Sequence, residues 1–327
     1  MERLQHHWYR LSPLHLLLFP VSLVFRALAA LRRFFYRTGI LASVKLPVPV
    51  IIIGNISVGG TGKTPLTLWL AQQLIENGWH PGIVSRGYIK SAKQQKTLHE
   101  VSMDDVADEV GDEPLLMAQR ALCPVWTGRD RPAAALAMLQ AHPECDIILS
   151  DDGLQHYRLR RDAEIVVIDG ARRFGNGLLL PAGPLREPVS RLRKVDAVVI
   201  NGGQVHDDEF AMSLQGSLFH NLLNPEIIVS ASEFIGQNLH AIAGIGHPRR
   251  FFAQLEHLGL SAKQHSFPDH YRYSMADISF EGADAILMTE KDAVKCAAFA
   301  TEKCWVLRVD AQVSPALTQL ILKKVTP

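Results

Sequence analysis

The stretch that decides the fold is the apolar run Val50-Ile51-Ile52-Ile53, closely followed by Ser57-Val58-Gly59-Gly60-Thr61-Gly62-Lys63-Thr64. A buried strand that ends in a glycine-rich turn directs successive backbone N–H groups into one concavity, and a helix beginning at Lys63 adds the positive end of its dipole. Phosphate groups fit such a concavity. We therefore predict a phosphate-binding loop over residues 57–64.

This loop matches the Walker A pattern except at its first position, where Ser57 stands in place of glycine. In that pattern the lysine binds the outer phosphates of a nucleotide and the next hydroxyl binds Mg²⁺, which assigns these roles to Lys63 and Thr64. The turn accepts a serine if that residue has an ordinary φ. A glycine-rich turn without a nucleotide is the alternative, but the strand before it and the amphipathic helix after it favour nucleotide binding.

The composition is that of a globular protein. The chain has 327 residues, of which 47% are hydrophobic and 20% charged, and it is long enough for two domains. A formal net charge of +1 gives no reason to expect nucleic acid as the main partner, because duplex binders carry a clear basic excess. The four cysteines lack C-x-x-C spacing and the density of a disulfide framework, which indicates reduced thiols in a cytosolic setting.

The N-terminal region is strongly apolar from Leu14 to Phe25, and Arg26 then interrupts the run. A transmembrane span would run longer, whereas aromatic and basic residues on both sides resemble the anchors of an interfacial segment. We predict that residues 1–40 associate with a membrane surface, with basic flanks that favour anionic head groups. The alternatives are an ordinary core helix and a secretory signal, which would export a domain that needs cytosolic ATP.

Beyond Pro47, strand-like runs alternate with helical patterns, which is typical of a mostly parallel sheet with helices on both faces. The strand-like runs cover residues 50–53, 82–85, 124–127, 146–150, 165–168 and 195–200. We therefore predict an α/β fold of the P-loop NTPase type over residues 41–205 and a smaller α/β domain over 206–327. The polar residues 91–97 are expected to form a mobile loop.

Three carboxylate-bearing positions stand at ends of predicted elements. Asp151 and Asp152 follow the strand-like run 146–150, where P-loop proteins place a Walker B acid that shares Mg²⁺ with the Walker A hydroxyl. Asp-Asp-Gly is also common turn chemistry. Asp112 opens a helical pattern, where it is either an N-cap or the carboxylate that takes the proton of an attacking hydroxyl. His270 follows Asp269, and a lone histidine is more often structural than catalytic.

Arginines gather in three loop-like segments, residues 85–88, 127–131 and 180–188. A guanidinium binds phosphate through two parallel hydrogen bonds, so these segments are candidates for contacts with ATP or with a phosphorylated substrate. A solvated surface is the alternative for each of them. The sequence does not choose between the two.

Taken together, the motifs carry a family resemblance that extends over nearly the whole chain. They are, in chain order, SVGGTGKTP, SRGY, VGDEP, TGRDR, DDGLQH, LLPAGPLREP, AGIGHPRRFF, FPDHYRY and LMTEKDAVKC. The ordered series resembles the tetraacyldisaccharide 4'-kinases, the lipid A 4'-kinases of Gram-negative bacteria. The resemblance implies a two-domain P-loop fold that uses ATP and Mg²⁺ to phosphorylate the 4'-hydroxyl of a tetraacyldisaccharide 1-phosphate at the cytoplasmic face of the inner membrane.

The same resemblance implies roles for individual residues. Asp112 is implied as the general base, with Glu113 near the metal, and Asp151 and Asp152 are implied in Mg²⁺ binding. His270 is implied to work with Asp112 when the two domains close. Serine at the start of the Walker A run is the family's own variant, so it does not count against membership.

Three other functions are compatible with the residues themselves. A regulatory P-loop GTPase would carry an N-K-x-D element after a strand, whereas here Lys291 and Asp292 are adjacent. A soluble small-molecule kinase has no use for the apolar run Leu14 to Phe25. A non-enzymatic membrane-associated binding module predicts no turnover of any phosphate acceptor.

Overall fold

The computed structural model describes residues 8–9, 13–87 and 98–326. The helices of these residues are α1 (Pro13–Arg37), α2 (Lys63–Glu76), α3 (Ala107–Val110), α4 (Asp112–Arg120), α5 (Arg131–Ala141), α6 (Pro248–His257), α7 (Glu290–Cys296) and α8 (Pro315–Val325). The strands are β1 (Val50–Gly54), β2 (Pro81–Ser85), β3 (Leu98–Glu100), β4 (Val125–Gly128), β5 (Ile147–Asp151), β6 (Ala163–Asp169), β7 (Ala197–Asn201), β8 (Phe210–Gln215), β9 (Leu218–Asn221), β10 (Ile228–Ser230), β11 (Leu239–Ala243), β12 (Ala262–Ser266), β13 (Ala285–Thr289), β14 (Cys304–Leu307) and β15 (Asp310–Val313).

The first sheet has nine strands in the order β15-β8-β7-β6-β1-β5-β2-β4-β3. Its seven inner strands run parallel, and only the two edge strands, β15 and β3, pair antiparallel with their neighbours. Strand β1 lies at the centre between β5 and β6. The carboxyl ends of these parallel strands meet at one edge, which is where open α/β sheets bind their ligands.

Helices cover both faces of the central strand β1. Ile51 and Ile53 contribute to a core with residues of α2 such as Leu70, whereas Ile52 contributes to a second core with Met138 of α5. All of these side chains are fully buried. Burial of each aliphatic side chain contributes about 1.5–3 kcal/mol to the free energy of folding. Since both faces of the strand are buried, every position of the run is apolar.

The second sheet has six strands in the order β10-β9-β14-β13-β11-β12. Strands β12, β11, β13 and β14 are parallel, and β9 and β10 complete the sheet antiparallel. We call the part of the chain that forms this sheet, residues 218–307, the six-stranded unit. The mostly parallel α/β class predicted from the sequence is confirmed, and the six predicted strands of the first sheet lie within a few residues of β1, β2 and β4–β7.

The sheets divide the chain differently from the predicted domains 1–40, 41–205 and 206–327, which stay a prediction. Strand β8 still belongs to the first sheet, and the chain returns to that sheet at β15. Helix α8 then packs on the first core through Leu317 and Ile321. The sheet to which an edge strand such as β15 belongs is decided by tertiary contacts. The local sequence of the strand does not indicate which of the two sheets it joins.

Helix α1 turns one stripe toward the protein and exposes the remainder. His15 and Ser22 are buried, whereas Leu16 and Leu17 are 80% and 75% exposed. By length and composition the helix could cross a membrane, and only 11% of its most apolar window is buried. The helix continues through Arg26, so it is longer than the predicted apolar run. Its exposure makes the core-helix interpretation wrong.

Candidate active site

The predicted phosphate-binding loop connects β1 to α2, and two glycines in it have conformations that favour glycine. Gly59 and Gly62 have φ values of 106° and 96°. A Cβ on Gly62 would also lie 2.4 Å from Nδ2 of Asn201 and 3.0 Å from Cε of Met212. Ser57 pairs with Leu185 in an extended bridge, which is the ordinary φ that a serine at this position needs.

Two asparagine side chains donate hydrogen bonds to Thr61 of the phosphate-binding loop. Asn201, at the end of β7, donates from Nδ2 to the Thr61 carbonyl oxygen at 2.9 Å, and Asn55 donates to Thr61 Oγ1 at 3.3 Å. Both asparagines are buried. The only sequence signal for the role of Asn201 is an asparagine that precedes Gly-Gly at the end of a strand.

The two strand-end aspartates occupy different environments. Asp151 is fully buried and accepts a hydrogen bond from Thr67 rather than Thr64, at 3.2 Å. Its Oδ2 has no partner among the described residues, and burial, with Glu113 adding to it, raises its pKa to about 7. Asp152 has a left-handed backbone with φ 47° and lies 3.5 Å from Lys63 Nζ.

The charges around Asp152 oppose the effect of its burial. Burial alone would raise the pKa of its carboxyl, but Lys63 and Arg186 outweigh burial and hold the pKa well below the usual range. Arg186 Nη1 lies 3.3 Å from both carboxylate oxygens. Asp152 is therefore ionised at neutral pH, while Asp151 takes up a proton near neutrality unless a cation approaches.

The Mg²⁺ ligands expected from the sequence, Thr64, Glu113, Asp151 and Asp152, stay a prediction. Within residues 8–9, 13–87 and 98–326, no three His, Cys, Asp or Glu side chains converge into a closed metal site. Mg²⁺ takes only one or two protein carboxylates and completes its shell with phosphates and water. The unpartnered Oδ2 of Asp151 in a buried position is the feature that fits a cation.

Asp112 and His270, which the sequence predicted to work together, are in direct contact. His270 Nδ1 lies 3.0 Å and 3.1 Å from the two carboxylate oxygens of Asp112. Asp112 is 6% exposed and is the first residue of α4, whose N-cap is Gly111, and its Oδ1 accepts a hydrogen bond from the Glu113 amide at 3.0 Å. Burial alone would raise the pKa of Asp112, but Lys291 and His270 outweigh it and hold the pKa well below the usual range.

Lys291, at the start of α7, completes this cluster, a role that its sequence motif did not indicate. Its Nζ lies 3.0 Å from Glu113, 3.2 Å from Asp269 and 3.8 Å from Asp112. Burial opposes its charge, yet these carboxylates raise the pKa of its ammonium above the ordinary value. Lys291 therefore balances the charge of Asp112 and Glu113 in α4 and, at the same time, that of Asp269, which follows β12 of the second sheet.

The six-stranded unit also contacts the phosphate-binding loop directly. A Cβ on Gly246 would lie 2.5 Å from the Gly60 nitrogen, so only glycine permits this approach. Arg172 donates to the Gly246 carbonyl oxygen at 3.2 Å. Asp292, in contrast, is fully buried and bonds to Gly244 N, so it is a structural residue and does not face a nucleotide base.

The arginines of the three arginine-rich segments differ in their burial and in their hydrogen-bond partners. Arg131 is buried and donates to the Asp151 carbonyl oxygen at 2.7 Å, which is a structural contact. Arg186 pairs with Asp152, and Arg129 is exposed. Tyr88 and the loop predicted at 91–97 lie outside the described residues.

Strand β1, the phosphate-binding loop and helix α2 follow one another, and the buried Asp151 lies at the end of the adjacent strand β5, which places the chain among P-loop nucleotide-binding proteins. The Asp112–His270 pair lines one cavity together with Gly60 and Lys63 of that loop. A model of the tetraacyldisaccharide-1-P 4'-kinase family matches residues 14–326, and the chain belongs to this family.

Individual relatives agree along their full lengths. The chain is 53% identical to the tetraacyldisaccharide 4'-kinase of Methylobacillus flagellatus, over 99% of this chain and 96% of that one. It is 51% identical to the enzyme of the same name from Azoarcus sp., over 97% and 94%. A crystal structure of LpxK from Aquifex aeolicus in complex with ATP superposes with a TM-score of 0.80 at 32% identity, covering 96% of this chain and 100% of that one.

Replacing Gly62 by alanine should destabilise the chain and weaken nucleotide binding. The added Cβ meets Asn201 at 2.4 Å on a backbone with φ 96°. We expect a loss of about 2–4 kcal/mol in the free energy of unfolding, measured by urea denaturation, because overpacking adds to the left-handed strain. ATP affinity should fall in calorimetry.

Gly259→Ala is the matched control, because Gly259 has φ 81° and nothing within 4 Å of a new Cβ. It should lose only about 1 kcal/mol from the backbone conformation and keep its ATP affinity. Equal losses in the two variants would show that the contact with Asn201 is not formed.

The free energy of unfolding of Asp151→Asn should exceed that of the wild type above pH 7 when EDTA is present. The native pKa of Asp151, about 7, lies above its ordinary value of 3.8, so ionisation destabilises the native state as pH rises through this range. The difference should shrink toward pH 4, because the carboxyl is protonated in the native state there and, near its ordinary pKa of 3.8, is only partly ionised in the unfolded state. Urea denaturation from pH 4 to 8 measures it.

Asp152→Asn should show the opposite sign. The pKa of Asp152 is lowered in the native state, so its ionised form stabilises the fold above pH 4, and the substitution removes that contribution at pH 5–8. A gain in stability for Asp151→Asn that does not change with pH would contradict the assigned burial of a titrating carboxyl.

Proposed function

We propose that the chain transfers the γ-phosphoryl group of ATP to the 4'-hydroxyl of a tetraacyldisaccharide 1-phosphate, a step of lipid A biosynthesis. The observation that carries the proposal is a cavity of about 730 Å³ lined together by Gly60 and Lys63, by Asp112 and His270, and by Phe25 of α1. A phosphate site, a proton acceptor and an apolar helix meet in this one space. A lipid-borne alcohol is the acceptor that needs all three.

The donor side rests on the P-loop. The amides of residues 57–64 and the N-terminus of α2 bind the phosphates of ATP, and Lys63 binds the oxygens of the outer phosphates. Thr64, Glu113, Asp151 and Asp152 would hold Mg²⁺, which offsets charge on the phosphoryl oxygens when it is bound. The protein's own contribution is mostly preorganised charge, because phosphoryl transfer has a loose transition state.

The acceptor side rests on the Asp112–His270 pair. A sugar hydroxyl is a poor nucleophile at neutral pH, so it must lose its proton as its oxygen bonds to the γ-phosphorus and the bond to ADP breaks. Asp112 stays ionised at neutral pH and accepts that proton, and His270 holds both of its oxygens in position. Asp112 is therefore the general base and His270 its orienting partner.

The membrane side rests on α1. Large apolar side chains, including Leu16, Leu17, Val24 and Leu28, are 59–80% exposed on this helix, and Arg26, Arg32 and Arg37 are exposed beside them. An exposed apolar face with basic neighbours binds an anionic bilayer surface. We place the chain at the cytoplasmic face of the inner membrane as a peripheral or monotopic protein, where the acceptor's acyl chains stay in the bilayer.

Replacing Asp112 by asparagine should abolish most turnover and leave ATP binding unchanged. The amide keeps the shape of the side chain but cannot accept the hydroxyl proton. We expect turnover to fall about 10²–10⁴-fold, which is the usual contribution of a positioned base. Product formation with MgATP and tetraacyldisaccharide 1-phosphate in mild detergent measures turnover, and calorimetry measures ATP affinity.

Asp146→Asn is the matched control, because Asp146 also contacts an imidazole. His80 Nδ1 lies 3.4 Å from Asp146 Oδ2, and neither residue belongs to the phosphate-binding loop. This variant should keep full turnover. His270→Ala should slow turnover less than Asp112→Asn, also with ATP affinity retained. Unchanged turnover in Asp112→Asn would remove Asp112 from the role of base, and lost ATP binding would make its role structural.

Substituting both Leu16 and Leu17 by glutamate should release the chain from membranes. The pair contributes two of the most exposed apolar side chains of α1, and charged residues there disfavour insertion. Co-sedimentation with vesicles that contain phosphatidylglycerol should fall several-fold, while ATP binding is unchanged.

Leu122→Glu is the control, since Leu122 is 76% exposed but lies outside α1. It should sediment with vesicles as the wild type does. Equal sedimentation of all three proteins would exclude α1 as the membrane contact.

A further inference from the structure

Ser22 is a buried polar residue on a helix whose exposed side chains are mainly apolar or basic. It lies in the middle of α1 and is 4% exposed, and its hydroxyl makes two hydrogen bonds to the loop of residues 178–187, besides a 3.3 Å contact with the Leu18 carbonyl oxygen of its own helix. The hydroxyl donates to the Leu179 carbonyl oxygen at 2.9 Å and accepts from the Ala182 amide at 3.0 Å. Both bonds are buried, where an unpaired amide or carbonyl is costly.

The loop that Ser22 binds, residues 178–187, is also bonded to the phosphate-binding loop. The Val58 amide donates to the Pro184 carbonyl oxygen at 2.9 Å, and the Arg186 amide donates to the Ile56 carbonyl oxygen at 2.7 Å. Leu185 pairs with Ser57 between these two bonds. One short loop therefore connects α1 to the turn that binds phosphate.

Internal bonds make the 178–187 loop stiff. The Leu180 amide donates to the Leu185 carbonyl oxygen at 2.9 Å, and the Gly183 amide donates to the Leu179 carbonyl oxygen at 3.0 Å. Asn176 Nδ2 donates to the Ala182 carbonyl oxygen at 2.9 Å. Because these hydrogen bonds cross-link the loop, a displacement of one of its ends also displaces the other end.

We propose that Ser22 is a positioning residue that fixes the rotation and depth of α1 relative to the P-loop through the 178–187 loop. This inference rests on the proposed function. The acceptor's acyl chains stay in the bilayer in which α1 lies, so the distance from helix to P-loop sets the distance from the 4'-hydroxyl to the γ-phosphorus. Misplacement by about 1 Å costs reaction rate far more than it costs binding.

The test compares Ser22→Ala with the wild type on two acceptors. One is tetraacyldisaccharide 1-phosphate embedded in phosphatidylglycerol-containing vesicles, and the other is a short-chain, water-soluble analogue of the same disaccharide 1-phosphate. We expect kcat to fall about tenfold or more on the embedded acceptor and less than threefold on the soluble one. The KM for ATP and co-sedimentation with vesicles should not change.

Hydrogen exchange gives a readout independent of activity. The amide of Ala182 should exchange about tenfold faster in Ser22→Ala, since it loses its acceptor. Ser22→Thr, which keeps a hydroxyl, should restore both slow exchange and turnover. Ser43→Ala is the control, because Ser43 bonds to the Tyr157 carbonyl oxygen outside the loop, and this variant should match the wild type.

Equal losses on the two acceptors would overturn the proposal in favour of a general structural role. Unchanged exchange of the Ala182 amide would overturn it as well, because the hydrogen bond would then not be formed. Faster exchange with unchanged turnover on vesicles would show that the bond does not position the site. If the wild type phosphorylates neither acceptor, the proposed function fails instead, which separates the two failures.

Discussion

The contact between Asp112 and His270 is the interaction on which the arrangement of the site depends. Asp112 begins a helix packed on the nine-stranded sheet, and His270 lies 158 residues further on, after β12 of the other sheet. Their 3.0 Å contact fixes the six-stranded unit over the phosphate-binding loop. Phosphoryl transfer gains mainly from position and charge, so the geometry of this contact matters more than the basicity of either group.

The placement of cations then decides how each carboxylate behaves. Lys291 lies within 3.8 Å of three acidic side chains, and Lys63 and Arg186 both pair with Asp152. One unit charge at 4 Å is worth about 4 kcal/mol at an effective dielectric constant of 20, so a single ammonium can outweigh burial. Among the residues that the structure describes, the Asp151 carboxylate has one hydrogen-bond partner, the Thr67 hydroxyl, and burial raises its pKa to about 7.

The local parts of the fold could be predicted from the sequence, and the non-local parts could not. The run from Val50 to Thr64 carries its own strand, turn and helix signals, because burial, glycine conformation and the helix start all act within a few residues. The return of β15 to the first sheet depends on contacts with residues 95 to 101 positions earlier in the chain. The roles of Lys291 and Asn201 could not be predicted for the same reason, since their partners lie in other parts of the chain.

Helix α1 and the phosphate-binding loop are coupled by electrostatics as well as by Ser22. Two adjacent residues of the 178–187 loop, Arg186 and Glu187, carry charged side chains that bind on either side of this connection. Arg186 pairs with Asp152 beside Lys63, whereas Glu187 accepts a hydrogen bond from Arg33 of α1 at 3.1 Å. Glu187 is 2% exposed, and a buried carboxylate is stable only when its charge is compensated. Two guanidinium groups compensate it, that of Arg33 and that of Arg191, whose Nε lies 3.3 Å from Glu187 Oε2. Helix α1 and the phosphate-binding loop therefore share one connection through the 178–187 loop.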